Sequence, residues 1–243
     1  MKIAAIVQAR MTSTRLPGKV MMPLAGEPML ARVIQRLERT KRITEIIVAT
    51  SVNTSDDSID AYCKRNKIHI YRGSESDVLS RYVGAANDCC ADAVVRITSD
   101  CPLLEPRLVD WCVDEYLSNK YDYVSNTHPQ TWPYGLAVEV FSIDALLLAD
   151  KNGLSAEERE HVTPHLYWNP TRFRLKNIFN DVDLSAHRWT VDTPEDYQFV
   201  KYIFENLKHL NSDFDLNDVL KLLDKNPEWL QINQSIQQKT LSH

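Results

Sequence analysis

The sequence predicts an α/β fold built on a mostly parallel sheet with helices on both faces. Three observations point there. Short β-branched runs alternate with helical periods through the first half of the chain, and that order favours parallel strands joined by crossover helices. The polar stretches that carry chemistry leave the ends of apolar runs, where ligands of open parallel sheets bind. The length of 243 residues, 44% of them hydrophobic and 25% charged, suits one large globular domain, or a domain with a small subdomain.

The elements follow in order. Ile3 to Val7 reads as a strand. Met29 to Arg39 reads as a helix, with Leu30, Val33, Ile34 and Leu37 on one face. Glu45 to Thr50 is a second strand, and Asp56 to Arg65 a helix with Ser55 or Asp56 as its N-cap. His69 to Tyr71 is a short strand, Asp77 to Asp88 a helix, Ala93 to Thr98 a strand and Leu108 to Leu117 a helix. A strand follows at Tyr121 to Val124.

The second half is less regular. Ala137 to Phe141 and Arg172 to Ile178 read as strands flanking a helical Ser155 to Tyr167. Arg188 to Val191 reads as a strand, and Pro194 to Glu205 as a helix with proline at its first position. Phe214 to Leu223 is a further helix. The Gln- and Ser-rich stretch 226–243 reads as a loose tail or a partner-docking arm. No repeat or linker divides residues 1–225, which are expected to form a single domain.

The formal net charge of -5 argues against nucleic acid as the main partner. No apolar run approaches the ~18 residues of a membrane span, and Met1-Lys2 leads straight into a strand with no cleavage site. The five cysteines are odd in number and lack CxxC spacing. Reduced thiols in a cytoplasmic protein are therefore expected.

Within this acidic chain one loop is basic. The stretch QARMTSTRLPGKV, Gln8 to Val20, presents Arg10, Arg15 and Lys19 among Ser and Thr hydroxyls directly after a strand. It matches neither GxxxxGK[ST] nor GxGxxG. Its composition suits a triphosphate, whose charge needs several donors at once, and equally suits a solvated loop. In YRGSESDVLSRYVGAA, Tyr71 to Ala86, a polar turn sits at a helix N-terminus, where free N–H groups favour anions or a capping Ser76. In VVRITSDCPLLEP, Val94 to Pro106, a strand ends at Asp100. A carboxylate there, opposite a phosphate loop, is placed to hold Mg²⁺, which takes one or two carboxylates with phosphate oxygens and water. A turn or capping aspartate is the alternative. In RWTVDTPEDYQFV, Arg188 to Val200, Thr193, Pro194, Glu195 and Asp196 read as helix-start residues, which leaves Asp192 free.

These blocks carry a resemblance. QARMTSTRLPGKVMMPLAGEPML resembles the N-terminal signature of the cytidylyltransferases that make CMP-activated sugars. Among them are the CMP-3-deoxy-octulosonate and CMP-acylneuraminate synthetases, and the branch of the spore coat polysaccharide biosynthesis proteins is the most similar. The resemblance spans most of residues 1–200. It implies a three-layer, Rossmann-like nucleotide-diphospho-sugar transferase fold, CTP and an acidic sugar as substrates, Mg²⁺ as cofactor and a homodimer. By that likeness Gln8 and Ala9 face the cytosine, and Arg10, Arg15 and Lys19 the phosphates. Ser76, Asp77 and Arg81 become further nucleotide contacts. Asp100 and Asp192 become the metal carboxylates, and Arg10, Lys19 and Asp100 the catalytic set.

YGLAVEVFS, Tyr134 to Ser142, and EREHVTPHLYWNP, Glu158 to Pro170, resemble further blocks of the same branch. They offer Tyr134, Glu139 and His161, with Asn126, as acceptor contacts, and residues 137–178 as the dimer and acceptor region. Where that branch carries acidic residues on either side of the position of Leu136, this chain has Tyr134 and Ala137, which bears on the acceptor. His161 and His165 have the spacing of a zinc helix, but Pro164 intervenes and no HExxH glutamate is present. Two other functions stay open: a metal-dependent glycosyltransferase, which would normally carry an Asp-x-Asp pair, and a silent CTP-binding protein of a polysaccharide pathway.

Overall fold

The computed structural model describes residues 1–210 and 213–238. The chain runs β1 (Ile3–Gln8), β2 (Pro23–Leu24), β3 (Glu27–Pro28), α1 (Met29–Leu37), β4 (Glu45–Ser51), α2 (Asp57–Arg65), β5 (His69–Gly73), α3 (Val78–Asp88), β6 (Ala93–Thr98) and α4 (Pro106–Leu117). It continues through β7 (Tyr123–Ser125), β8 (Glu139–Ser142), α5 (Ile143–Asn152), α6 (Ala156–His161), α7 (Pro164–Tyr167), β9 (Leu175–Asn177), α8 (Pro194–Leu207) and α9 (Leu216–Lys225).

A seven-stranded sheet in the order β5-β4-β1-β6-β8-β7-β9 forms the centre. β5, β4, β1 and β6 pair in parallel. β8 runs antiparallel to both β6 and β7, and β9 is parallel to β7. Every residue of β1 from Ile3 to Val7 is buried, as expected for a strand covered on both faces. Alternate residues feed two cores. Ala5, Val7, Val95 and Ile97 pack with α1, α4, α8 and α9. Ala4, Ile6, Ile47 and Val94 pack with α3, α5 and α7. The result is the three-layer α/β arrangement.

Parallel pairing sends β1, β4 and β6 to the same edge. The loops after Gln8, Ser51 and Thr98 therefore meet there, and backbone bonds tie them: Ala9 N donates to Ala49 O at 3.1 Å and Ser99 N to Gln8 O at 3.1 Å.

Four expectations need correction. The helix foreseen over Ser155 to Tyr167 is two helices, because Val162 takes φ 73° and Pro164 cannot continue the ladder of the first. His161 and His165 thus fall on separate helices. Arg188 to Val191 is extended but is no strand; a single bridge joins Arg188 to Tyr134. The side chain of Asp56 does not cap α2; it is fully buried and turned toward the basic loop. The stretch from Asn226, foreseen as loose, is anchored over its described part: a 3-10 turn spans Pro227–Gln231 and Asn233 is buried. The helix α5 went unforeseen, although Ser142 caps it by accepting from Ala145 N.

Candidate active site

The basic loop is a closed lasso. Gly18 N donates to Met11 O at 2.8 Å, and Met11 N donates to Asp56 Oδ1 at 2.8 Å. Asp56 also accepts from Thr50 Oγ1, Ser51 N and Ser51 Oγ, so the base of the loop is fixed to the end of β4. Gly18 adopts φ 73°, a left-handed conformation open to glycine at little cost. That turn starts the 3-10 segment Lys19–Met21 and drives Lys19 inward.

Lys19 is 7% exposed. Its Nζ donates to Asp100 Oδ2 at 2.9 Å, to Asp192 Oδ1 at 2.9 Å and to Val191 O at 2.8 Å. The three donors of an ammonium are thereby used. Two carboxylates 92 residues apart in sequence (100 and 192) converge on one cation. Burial works against the charge on Lys19, but the two carboxylates outweigh it and raise its pKa. Burial likewise opposes ionisation of Asp100, and Lys19 with the Thr98 hydroxyl overcomes it, holding the carboxyl at about 2.

Each carboxylate has further support. Thr98 Oγ1 donates to Asp100 Oδ1 at 2.6 Å, and Val191 N donates to the Asp100 carbonyl at 2.9 Å. Asp192 Oδ2 pairs with Arg15 at 3.0 Å and Arg188 at 2.9 Å. Arg188 is held in turn by Asp196, at 2.9 and 3.0 Å. Asp196 is fully buried and also accepts from Asp192 N, Thr193 N and Asn233 Nδ2. Burial would raise its pKa, but these partners lower it. Gly135, at φ 105°, lies so close to Trp189 and Thr190 that a Cβ would fall 2.5 Å from Thr190 N. This close approach seats the loop of Tyr134 against the segment that carries Asp192.

At the loop rim Arg15 is exposed, and Arg10 is half-buried with no hydrogen bond or ion pair among the described residues. Gln8 Oε1 accepts from Tyr82 OH at 3.2 Å, and Ala9 is buried beside it. The foreseen Gln8, Ala9, Arg10, Arg15, Lys19, Asp100 and Asp192 thus lie around one edge of the sheet. Residues that sequence reasoning missed support them: Thr98, Arg188, Asp196 and Asp56. The signals were present but weak, a hydroxyl two residues before Asp100 and a cation four before Asp192.

In the second block, Asp77 is engaged within the protein. Asp77, not Ser76, caps α3 by accepting from Ser80 N at 2.9 Å, and Arg159 grips its two oxygens at 2.9 and 2.5 Å. Arg81 is buried, and its Nη1 donates to Ser74 O and Glu75 O. These bonds shape the turn, and the Arg81 Nε is buried without a partner among the described residues. Ser76 remains exposed. Glu75, which the turn presents, joins Thr12 of the basic loop to Asn53 after β4.

Two acceptor candidates also turn inward. Asn126 is 0% exposed and spends its amide on Leu136 O at 2.9 Å and Val138 N at 2.8 Å. Glu139 is 4% exposed and is bound by Arg96, Tyr123 OH and Thr163 Oγ1. Both are turned into the protein and hold the sheet together. Tyr134 and His161 stay partly exposed. Burial lowers the His161 pKa, which favours the neutral ring at pH 7. His165 Nδ1 is paired with Glu158 at 2.8 Å. Among the described residues no three His, Cys, Asp or Glu side chains group to hold a metal.

The family model described as cytidylyltransferase matches residues 4–235. The chain belongs to the cytidylyltransferase family. It is 32% identical over 235 residues to the spore coat polysaccharide biosynthesis protein SpsF of Bacillus subtilis, covering 93% of this chain and 95% of that protein. Among solved structures it is similar to a cytidylyltransferase of Leptospira borgpetersenii, with TM-score 0.90, 32% identity and full coverage of both chains. A CMP:2-keto-3-deoxy-manno-octonic acid synthetase complexed with CTP shares the fold, at TM-score 0.66 and 18% identity over 85% of this chain and 99% of that one.

The protein is therefore a CTP-using nucleotidyltransferase of the CMP-sugar superfamily. For a cytidylyltransferase the carboxylate pair fits Mg²⁺. Asp100 Oδ2 and Asp192 Oδ1 already share one cation, and two carboxylates completed by phosphate oxygens and water are the set that ion prefers.

Proposed function

We propose that this cytidylyltransferase joins the CMP unit of CTP to an acidic sugar, a nonulosonic or octulosonic acid, and releases pyrophosphate. The observation that carries the reading is the convergence of Asp100 and Asp192 on one cationic point beside the Gln8–Val20 loop. No covalent enzyme intermediate is required. The acceptor hydroxyl attacks the α-phosphorus in line; its oxygen bonds to phosphorus as the bond to pyrophosphate breaks, and the hydroxyl proton passes to solvent. Positioning and charge neutralisation supply the rate.

Arg10 and Arg15 at the loop rim take up the charge of the triphosphate and of the departing pyrophosphate. Asp100 is ionised at neutral pH, since its pKa lies at about 2, and Thr98 fixes its orientation. Asp192 is fixed by Arg188 and Arg15. Asp100 and Asp192 would hold Mg²⁺. When bound, Mg²⁺ polarises the α-phosphate and makes the attacking hydroxyl more acidic.

Tyr134 and His161 are the acceptor contacts that keep an exposed side. A homodimer through residues 137–178 is part of the same reading; the exposed Leu147 and Leu154 fall in that region. A cytoplasmic location suits a CTP-consuming step, and among the described residues no helix is long and apolar enough to cross a membrane.

The test is pyrophosphate release from each nucleoside triphosphate with Mg²⁺, against a panel of 2-keto-3-deoxy sugar acids. Release with CTP and one acid is expected. Release with CTP and only neutral or phosphorylated acceptors would overturn the acidic-sugar assignment, and no preference for CTP would overturn the whole reading.

A further inference from the structure

Lys19 occupies the point that a metal would need. Its Nζ lies 2.9 Å from Asp100 Oδ2 and 2.9 Å from Asp192 Oδ1. The other oxygens are committed elsewhere: Asp100 Oδ1 accepts from Thr98, and Asp192 Oδ2 binds Arg15 and Arg188. The two oxygens that converge are thus the two that Lys19 holds. A dication bridging them would meet an ammonium within contact distance, and like charges at such range in a shielded site repel strongly. Lys19 and a metal cannot share this position.

The third bond of Lys19, to Val191 O, shows that the lysine is seated rather than passing through. Gly18 and the 3-10 turn hold its backbone in place, while its four-carbon stem can still swing. The most highly charged anion expected at this edge is the triphosphate, which would offer oxygens in exchange for the two carboxylates.

We infer that Lys19 is an internal counter-cation which holds the Asp100–Asp192 pair closed to metal until a nucleotide triphosphate draws its ammonium away. This rests on the reading of the site given above. The free protein should hold divalent metal weakly, and metal and nucleotide should each strengthen the other's binding, as linkage requires. The lysine also bridges the two carboxylates, whose like charges would otherwise oppose their approach.

The test is Mn²⁺ binding to the full chain, followed by the loss of the free-ion electron paramagnetic resonance signal, with and without CTP. Lys19→Met removes the ammonium and keeps most of the stem; Lys19→Arg keeps a cation. Without nucleotide, Lys19→Met is expected to bind Mn²⁺ about tenfold or more tightly than the wild type, and Lys19→Arg is not. Lys19→Gln gives the same comparison should the Met variant fail to fold, with circular dichroism as the check. If the Met and Gln variants gain nothing while the wild type holds Mn²⁺ with CTP, the exchange is overturned and the metal assignment stands. If no form binds Mn²⁺ under any condition, both fall together. Tight Mn²⁺ binding by the wild type alone, unaffected by CTP, would also overturn the exchange.

Discussion

Arg96 on β6 and Glu139 on β8 stand directly opposite each other in the antiparallel pairing of those strands, and their charges meet inside the protein. Glu139 also accepts from Tyr123 OH at 2.5 Å and Thr163 Oγ1 at 2.6 Å. Burial would raise the Glu139 pKa, but Arg96 and the two hydroxyls bring it below its usual value. This pair joins the parallel half of the sheet to its antiparallel half. Glu139→Leu leaves a shielded guanidinium without its partner and should cost about 3–5 kcal/mol, read as a fall in urea-unfolding free energy. Joining it with Arg96→Met should recover most of that loss. A single variant as stable as the wild type would show that the pair does not secure the sheet.

Asn126 gives a second check of the same distinction. Its amide spans Leu136 O and Val138 N in a fully buried position. Asn126→Ala leaves a carbonyl and an N–H without partners, at a cost of about 1–3 kcal/mol each. A lower melting temperature is expected, with the acceptor KM unchanged in the folded fraction. A raised acceptor KM at wild-type stability would return Asn126 to the acceptor site.

Asp100→Asn should nearly abolish turnover while CTP still binds. A loss of about 10²–10³ in kcat is the scale for removing one stabilising group of this kind. Isothermal titration with CTP measures binding separately from pyrophosphate release. Loss of both in parallel would make Asp100 a binding group and not a catalytic one.

The same carboxylate shapes acid stability. Its folded pKa of about 2 lies below the ordinary 3.8. Between those values the unfolded chain binds more protons, so stability is full above about pH 4 and falls as pH drops toward 2. Urea unfolding across that window should show a steeper decline in the wild type than in Asp100→Asn. Equal slopes would mean that Lys19 does not hold Asp100 ionised.

The parts of the chain differ in how far the sequence disclosed them. β1, β4 and β6 were legible because strands buried on both faces read as continuous apolar runs, and Gln8 to Val20 was legible because a basic loop stands out in an acidic chain. Asn126 and Glu139 misled because a polar residue in a functional block looks the same whether it faces a ligand or a neighbouring strand. Only the positions of Leu136, Val138 and Arg96 decide between the two. Asp77 misled for the same reason, since Arg159, which claims it, lies 82 positions away. Arg188 to Val191 is apolar enough for a strand, yet its N–H groups at Trp189 and Val191 go to Tyr134 O and Asp100 O, which places the segment across the site instead of in the sheet.

Asn233 brings the C-terminal stretch into the same site. It is 5% exposed, and its amide donates to Arg188 O at 3.0 Å and to Asp196 Oδ1 at 2.9 Å. Asp196 orients Arg188, and Arg188 binds Asp192 Oδ2, so Asn233 acts on Asp192 through two intermediaries. Asn233→Ala removes a charge-assisted bond worth about 1.5–3 kcal/mol and frees Asp196 to shift. The aspartate that would take metal then loses part of its alignment. A several-fold rise in the Mg²⁺ concentration needed for half-maximal pyrophosphate release is expected, on the scale known for partners that orient metal ligands, about 10-fold or more when they are lost outright. The KM for CTP measured at saturating Mg²⁺ should move less. A purely stabilising role would lower the melting temperature and leave the Mg²⁺ dependence of the folded enzyme unchanged, so the Mg²⁺ titration of Asn233→Ala, with Asn233→Gln to test for rescue, separates the two.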